Sequence, residues 1–183
     1  MASPLGVLGG RVSQLTCTKE GGVDLKGLPN EWLLDGLEHS CQTLEHILAD
    51  VSQEQAQMIR DGDEGWSVLE ILCHLRDYQA IFAERIRRIL DEDSPIFMPY
   101  DERARLGLVV ENDYANQDLR AVFADYAATR RQMIDLLASL DEDQWRREGR
   151  FAVDDVVDLT MPVVHTLLHD ADHSEQIARI LRG

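Results

Sequence analysis

The stretch Ser67–Asp91, SVLEILCHLRDYQAIFAERIRRILD, decides the fold class. It opens on Ser67-Val-Leu-Glu70, a capping box in which the Ser67 oxygen and the Glu70 carboxylate can each satisfy a free backbone N–H. Ile71, Leu75, Tyr78, Phe82 and Ile89 then recur at helical spacing, and no Pro or Gly interrupts them. One apolar stripe on an otherwise polar helix must be buried against another element.

Three further stretches have the same character. Residues 30–53 place Leu34, Leu37, Cys41, Leu44, Leu48 and Val51 on one face, and residues 116–140 do so with Leu119, Phe123, Tyr126, Met133, Leu137 and Leu140. The last predicted helix runs from Thr160 to Arg182, with Pro162 tolerated in its first turn and Gly183 suited to its end. Four such helices predict an all-α fold, an antiparallel four-helix bundle. The connections after helices two and three are long for a bundle, and long loops can roof a cavity. No period-2 strand of useful length is evident. Residues 1–29 carry six of the twelve glycines without periodicity and read as a flexible N-terminal arm, leaving 30–183 as the bundle.

Composition narrows the function classes. The 183 residues include 18 Lys+Arg against 34 Asp+Glu, a net charge of -16, which repels phosphates and argues against nucleic acid as a partner. No apolar run is long enough for a membrane span. Cys17, Cys41 and Cys73 form no close-spaced pair, and the N-terminus has no basic and apolar leader pattern, so a reducing cytoplasm is the expected location.

Polar residues interrupt the apolar seams. His165, His169 and His173 recur every four residues on the last helix, and Gln176 and Ile180 continue that face. At 3.6 residues per turn, a step of four drifts by about 40° and rises roughly 6 Å, so neighbouring rings can lean toward one point. His74 shares the inward face of helix two with Ile71, Tyr78 and Phe82. An inward histidine can be a hydrogen-bonded core residue, but a pair at i, i+4 opposite a third on another helix also suits a divalent metal, zinc or nickel. Such a set keeps coordination positions open, the catalytic pattern. Glu70, Asp77, Asp170 and Gln176 are candidates to hold an imidazole N–H. Arg130 stands where the third seam calls for an apolar residue; it could reach a substrate carboxylate or pair with a buried acid. Tyr78 and Tyr126 could line the pocket or simply fill the core. There is no HExxH, GxSxG or P-loop, and the acid–histidine spacing does not suit a di-iron bundle.

Gly65-Trp66-Ser67 with Glu70, His74-Leu75 and Asp77, then His169-Asp170-x-x-His173-x-x-Gln176-Ile177, together closely resemble the DinB-like superfamily. That group includes DinB proteins, bacillithiol S-transferases and mycothiol-dependent maleylpyruvate isomerases. The resemblance covers residues 30–183 and extends to Arg130 and Trp145. It implies a bundle in which His74, His169 and His173 hold a divalent metal, while His165 has no clear counterpart and would support the site or pack on helix two. It also implies a homodimer and a small-molecule substrate. The expected function is metal-dependent thiol S-transfer, with a low-molecular-weight thiol as co-substrate, or hydrolysis. The competing expectation is a non-catalytic, stress-related bundle that binds metal or a small ligand.

Overall fold

The computed structural model describes residues 28–98, 102–151 and 156–183. Four long helices form the body: α1 (Asn30–Leu48), α3 (Val68–Asp91), α5 (Leu119–Ala138) and α7 (Thr160–Arg182). Short helices α2 (Gln53–Met58), α4 (Glu102–Glu111) and α6 (Glu142–Trp145) lie in the connections. The predicted bundle is present, and among the described residues no helix is long and apolar enough to cross a membrane. The expected arm falls almost wholly on residues 1–27, outside the described residues.

The Ser67 box forms as its spacing requires. Ser67 Oγ accepts from the Glu70 N–H at 3.2 Å, and Glu70 Oε2 accepts from the Ser67 N–H at 2.7 Å. Ser52 caps α2 in the same way through Gln55. These caps set where the chain turns into α3, and therefore where His74 falls along it.

Helix order around the bundle does not follow chain order. α1 packs mainly against α5 and α7, and α3 against the same two, so the consecutive helices α1 and α3 stand diagonally opposite. Contacts give the directions. Leu48 O and Leu37 O meet Arg120 and Arg130 respectively, so α1 and α5 are antiparallel. His74 meets His173 while Phe82 meets His165, so α3 and α7 are antiparallel as well. Gly36 lies beside Leu167 and Ser40 beside Asp170, which makes α1 and α7 parallel. It follows that α3 and α5 are also parallel. The four-helix bundle stands, but two of its four neighbouring pairs are parallel where an antiparallel arrangement was expected, because the seams fix which face is buried and not the direction of the neighbour. A parallel neighbour forces the chain to travel back along the helix, and at about 1.5 Å per residue α3 is roughly 36 Å long. The long connection between α3 and α5 is therefore a geometric necessity.

The two long connections join in a small sheet that the sequence reading did not anticipate. Strands β1 (Ile96–Phe97), β2 (Glu148–Phe151) and β3 (Val156–Asp158) lie in that order, β1 parallel and β3 antiparallel to β2. Strands of two to four residues are too short for a period-2 pattern to register. Gly149 lies so close to α3 that an added Cβ would sit 2.8 Å from Ile89 and from the Phe97 ring.

The apolar core is divided in two. One cluster includes Leu44, Leu48, Val68, Leu72, Val122 and Ile177; the other includes Leu33, Leu37, Ile86, Met133, Trp145 and Val163. Between them lies a polar layer centred on Arg130, which is 1 % exposed. Its Nε donates to Gln79 Oε1, Nη1 to Leu37 O and Ser40 Oγ, and Nη2 to Tyr126 Oη and Asp170 Oδ2, at 2.6–2.8 Å. All five guanidinium N–H groups are used, and every long helix supplies an acceptor. Of the two readings open for Arg130, the structure selects the pairing with a buried acid: Asp170 is 2 % exposed. Removing one member of a buried ion pair leaves an uncompensated charge. Arg130→Met is expected to lose about 3–5 kcal/mol in denaturant unfolding, and the Arg130→Met/Asp170→Leu double variant less than the two single losses summed.

Candidate metal centre

Three histidines converge where α3 crosses α7. His74, two turns into α3, is 4 % exposed, whereas His169 and His173 on α7 are half-buried. The Nε2 atoms of His74 and His169 are 3.0 Å apart. Ring centroids are separated by 4.9 Å for His74–His169 and for His74–His173, and by 4.5 Å for His169–His173. The planes stand at 62°, 80° and 73°, so the rings meet edge to face around one point. One ring nitrogen from each lies within 4.8 Å of the other two.

This arrangement fits a divalent ion. Nitrogens about 2.0–2.1 Å from one tetrahedral metal lie about 3.3 Å from each other, and the His74 and His169 Nε2 atoms, 3.0 Å apart, are within a few tenths of an ångström of that. Burial, and then the neighbouring His173, His74 and His165, push His169 down to about 2, which keeps its ring neutral and its lone pair available. Its buried Nδ1 has no hydrogen-bond partner among the described residues.

His173 is held differently. Its Nδ1 lies 2.8 Å from Gln176 Oε1. An amide oxygen can only accept, so Nδ1 carries the proton and Nε2 is left with its lone pair. Gln176 is itself oriented, donating to Asp61 Oδ2 at 2.7 Å, and Arg179 grips both Asp61 oxygens at 2.9 and 3.0 Å. The bonds from Arg179 and Gln176 bring the Asp61 carboxyl down to about 2. Asp61 belongs to the loop before α3, whose Trp66 meets the His74 ring edge-on at 5.0 Å. Gly65 lets that loop fold back on itself, because a Cβ there would lie 1.8 Å from Asp61 O. Asp61 and Arg179 were not singled out in the sequence: their meeting links positions 118 residues apart, which helical periodicity cannot register.

Of the predicted supporting residues, Gln176 alone meets an imidazole as proposed for that group. The three carboxylates are engaged elsewhere. Glu70 serves the cap and pairs with Arg60 at 2.7 Å; Asp77 pairs with Arg76 and accepts from Asn112 and Tyr114; Asp170 belongs to the Arg130 layer. A carboxylate this close to a guanidinium or a helix N-terminus forms a charge-assisted bond that an imidazole N–H does not displace. Arg130 and Tyr126 are core residues; Tyr126 is fully buried, and burial followed by the Asp170 charge raises its phenol well above the usual value. Tyr78 does reach the cluster, lying flat on His169 at 3.6 Å between centroids. His165 is exposed and bonds the Tyr78 hydroxyl through Nδ1. Trp145 sits in the second apolar cluster.

No described cysteine is placed as a nucleophile. Cys73 is fully buried and its thiol is pushed up to about 12 by desolvation; burial also raises Cys41. Both are free thiols, and Cys17 lies outside the described residues.

Comparison with known proteins gives a consistent picture. The family model described as the DinB superfamily matches residues 37–177. A relative from Oceanobacillus iheyensis, provisionally named a metal-dependent hydrolase, is 31% identical over 75 residues, 40% of this chain; the match spans 42% of that relative's own length. The fold matches YfiT from Bacillus subtilis, described as a probable metal-dependent hydrolase with an unusual four-helix bundle topology, with a TM-score of 0.72, 22% identity, and coverage of 91% of this chain and 89% of that one. It also matches a mycothiol-dependent maleylpyruvate isomerase, with a TM-score of 0.67, 14% identity, and coverage of 82% of this chain and 61% of that one.

The Gln176 contact has a direct readout. In Gln176→Leu the acceptor that fixes the Nδ1–H form of His173 is gone, and ring 15N NMR of the metal-free protein is expected to show the two tautomers mixing. Asp61→Asn, which leaves Gln176 in place, should give the smaller change.

Proposed function

This chain belongs to the DinB superfamily, and from that premise we propose that it is a metal-dependent hydrolase whose ion is held by His74, His169 and His173. The observation that carries the reading is the convergence of three ring nitrogens from two helices within 4.8 Å. The names borne by the Oceanobacillus and Bacillus relatives support hydrolysis as the reaction class. Zinc or nickel is the ion best suited to three neutral imidazoles.

A divalent ion in such an open set supplies Lewis acidity toward an oxygen or sulfur ligand. The remaining work falls to the chain itself. His74 offers Nε2 from a position covered by Trp66, which keeps bulk water off that side. Burial holds His169 down at about 2, so near neutral pH its lone pair is not lost to a proton. Gln176 holds the proton of His173 on Nδ1, away from the shared point. Because His169 and His173 are half-buried rather than enclosed, a small substrate can approach from the α7 side.

A second reading, thiol transfer, is favoured by the fold shared with the mycothiol-dependent isomerase and by the charge of the ligand set. Three neutral imidazoles leave the ion's positive charge uncompensated, a setting that attracts an anionic thiolate.

Elemental analysis of untagged protein tests the common basis. Near-stoichiometric zinc or nickel is expected in the parent and should be lost in His74→Ala and in His169→Ala. Hydrolysis of amide or ester substrates that disappears with chelation and returns on adding the ion would support the hydrolase. Turnover only when a low-molecular-weight thiol is added would favour transfer. A parent that is metal-free and cannot be loaded would overturn both.

A further inference from the structure

We propose that His165, outside the three-histidine cluster, is a positioning residue that fixes the ring of His169 through Tyr78. The proposal rests on the reading that His74, His169 and His173 hold a divalent ion.

The two α7 ligands are supported unequally. His173 has its Nδ1 held by Gln176, the usual way a ligating imidazole is aimed. His169 has no such bond, since its Nδ1 is buried without a hydrogen-bond partner among the described residues. Something else must stop that ring from turning about its Cβ–Cγ bond. Tyr78 is suitably placed: its ring lies 3.6 Å from that of His169 at an interplanar angle of 12°. A large flat face at that separation blocks rotation of the imidazole, provided the tyrosine ring is itself fixed.

Tyr78 is fixed at two places. Its ring stacks on Phe82 at 4.5 Å and 20°, and its hydroxyl bonds Nδ1 of His165. His165 in turn lies parallel to Phe82, at 5.4 Å and 9°. Four rings thus stand nearly parallel, with the α7 pair His165/His169 flanking the α3 pair Tyr78/Phe82. Both pairs are spaced i, i+4, and the helices run antiparallel, so the two sets come into register. An exposed imidazole suits the outer place because it can stack on Phe82, bond the hydroxyl through one nitrogen and leave the other to water.

The test uses untagged full-length protein, stripped of metal and titrated with cobalt(II), read by competition with a chelator and by visible absorption. His165→Leu keeps bulk over Phe82 but removes the partner of the hydroxyl; it is expected to bind cobalt about tenfold more weakly, with an altered absorption band. Tyr78→Phe should lose a similar amount, and the double variant little more than either single one. His165→Asn places an amide oxygen where Nδ1 stood and should restore affinity to within a few-fold, whereas His165→Gln, whose amide oxygen reaches the place of Nε2, should not. Unchanged affinity and spectrum in His165→Leu would overturn the proposal, as would equal weakness in His165→Leu and His165→Asn. A parent that takes up no cobalt would overturn the metal reading itself, and the role of His165 toward it.

Discussion

A guanidinium enclosed by four helices is the constraint on which this structure depends. Arg130 is buried with five donors and meets five acceptors drawn from α1, α3, α5 and α7. Desolvating such a charge is tolerable only when every bond is made. Sliding any one helix by a residue would strand a donor or the Asp170 carboxylate in a region of low dielectric. The two apolar clusters above and below provide the bulk of the burial, but apolar contacts are non-directional and would accept neighbouring registers. The polar layer supplies the directionality they lack.

That register carries over to the metal-binding candidates because the two share α7. Asp170 follows His169 directly, and about 100° separates successive residues on a helix. When Asp170 is held toward Arg130, His169 is turned toward α3, where His74 waits at 3.0 Å. One turn on, His173 completes the cluster, and Gln176 and Arg179 reach the Asp61 loop. That loop is tied at its other end to α3 through the Ser67 cap and Trp66. The histidines are thus braced from the core by one charge and from the surface by another, with neither charge pointing at the site.

Much of this was legible in the chain. Ser67, Glu70 and the apolar steps after them mark α3 to within a residue, and α7 spans the expected Thr160–Arg182. The clustering of His74 with His169 and His173 is visible because each interrupts an apolar seam at helical spacing, and resemblance to a known family chose those three over His165. The buried stripes are wider than the apolar steps alone describe. On α1 the structure buries Leu33 and leaves Leu34 and Cys41 only half-covered; on α5 it buries Val122 more deeply than Phe123. A helix with two packed neighbours buries a wider and rotated stripe than one seam describes. Glu70, Asp77 and Asp170 stand apart from the imidazoles for a related reason: a carboxylate goes to the nearest guanidinium or free backbone N–H, and which one is nearest depends on the packing.

What the amino-acid sequence determined by itself is everything that depends on neighbours a few residues away: the caps, the helices, the inward facing of His74, His169 and His173 and the odd arginine in an apolar seam. These follow from a repeat of 3.6 residues, which is a property of the local chain. What only the tertiary structure decided is which helices touch and in which direction. The diagonal placement of α1 and α3 is one such decision. The others are long-range pairs in different elements: β1 on β2, Tyr78 with His165 and Asp61 with Gln176 join residues 54, 87 and 115 positions apart. Such pairs leave no periodic trace in the chain, because their geometry is set by how the buried surfaces and the Arg130 charge are satisfied together.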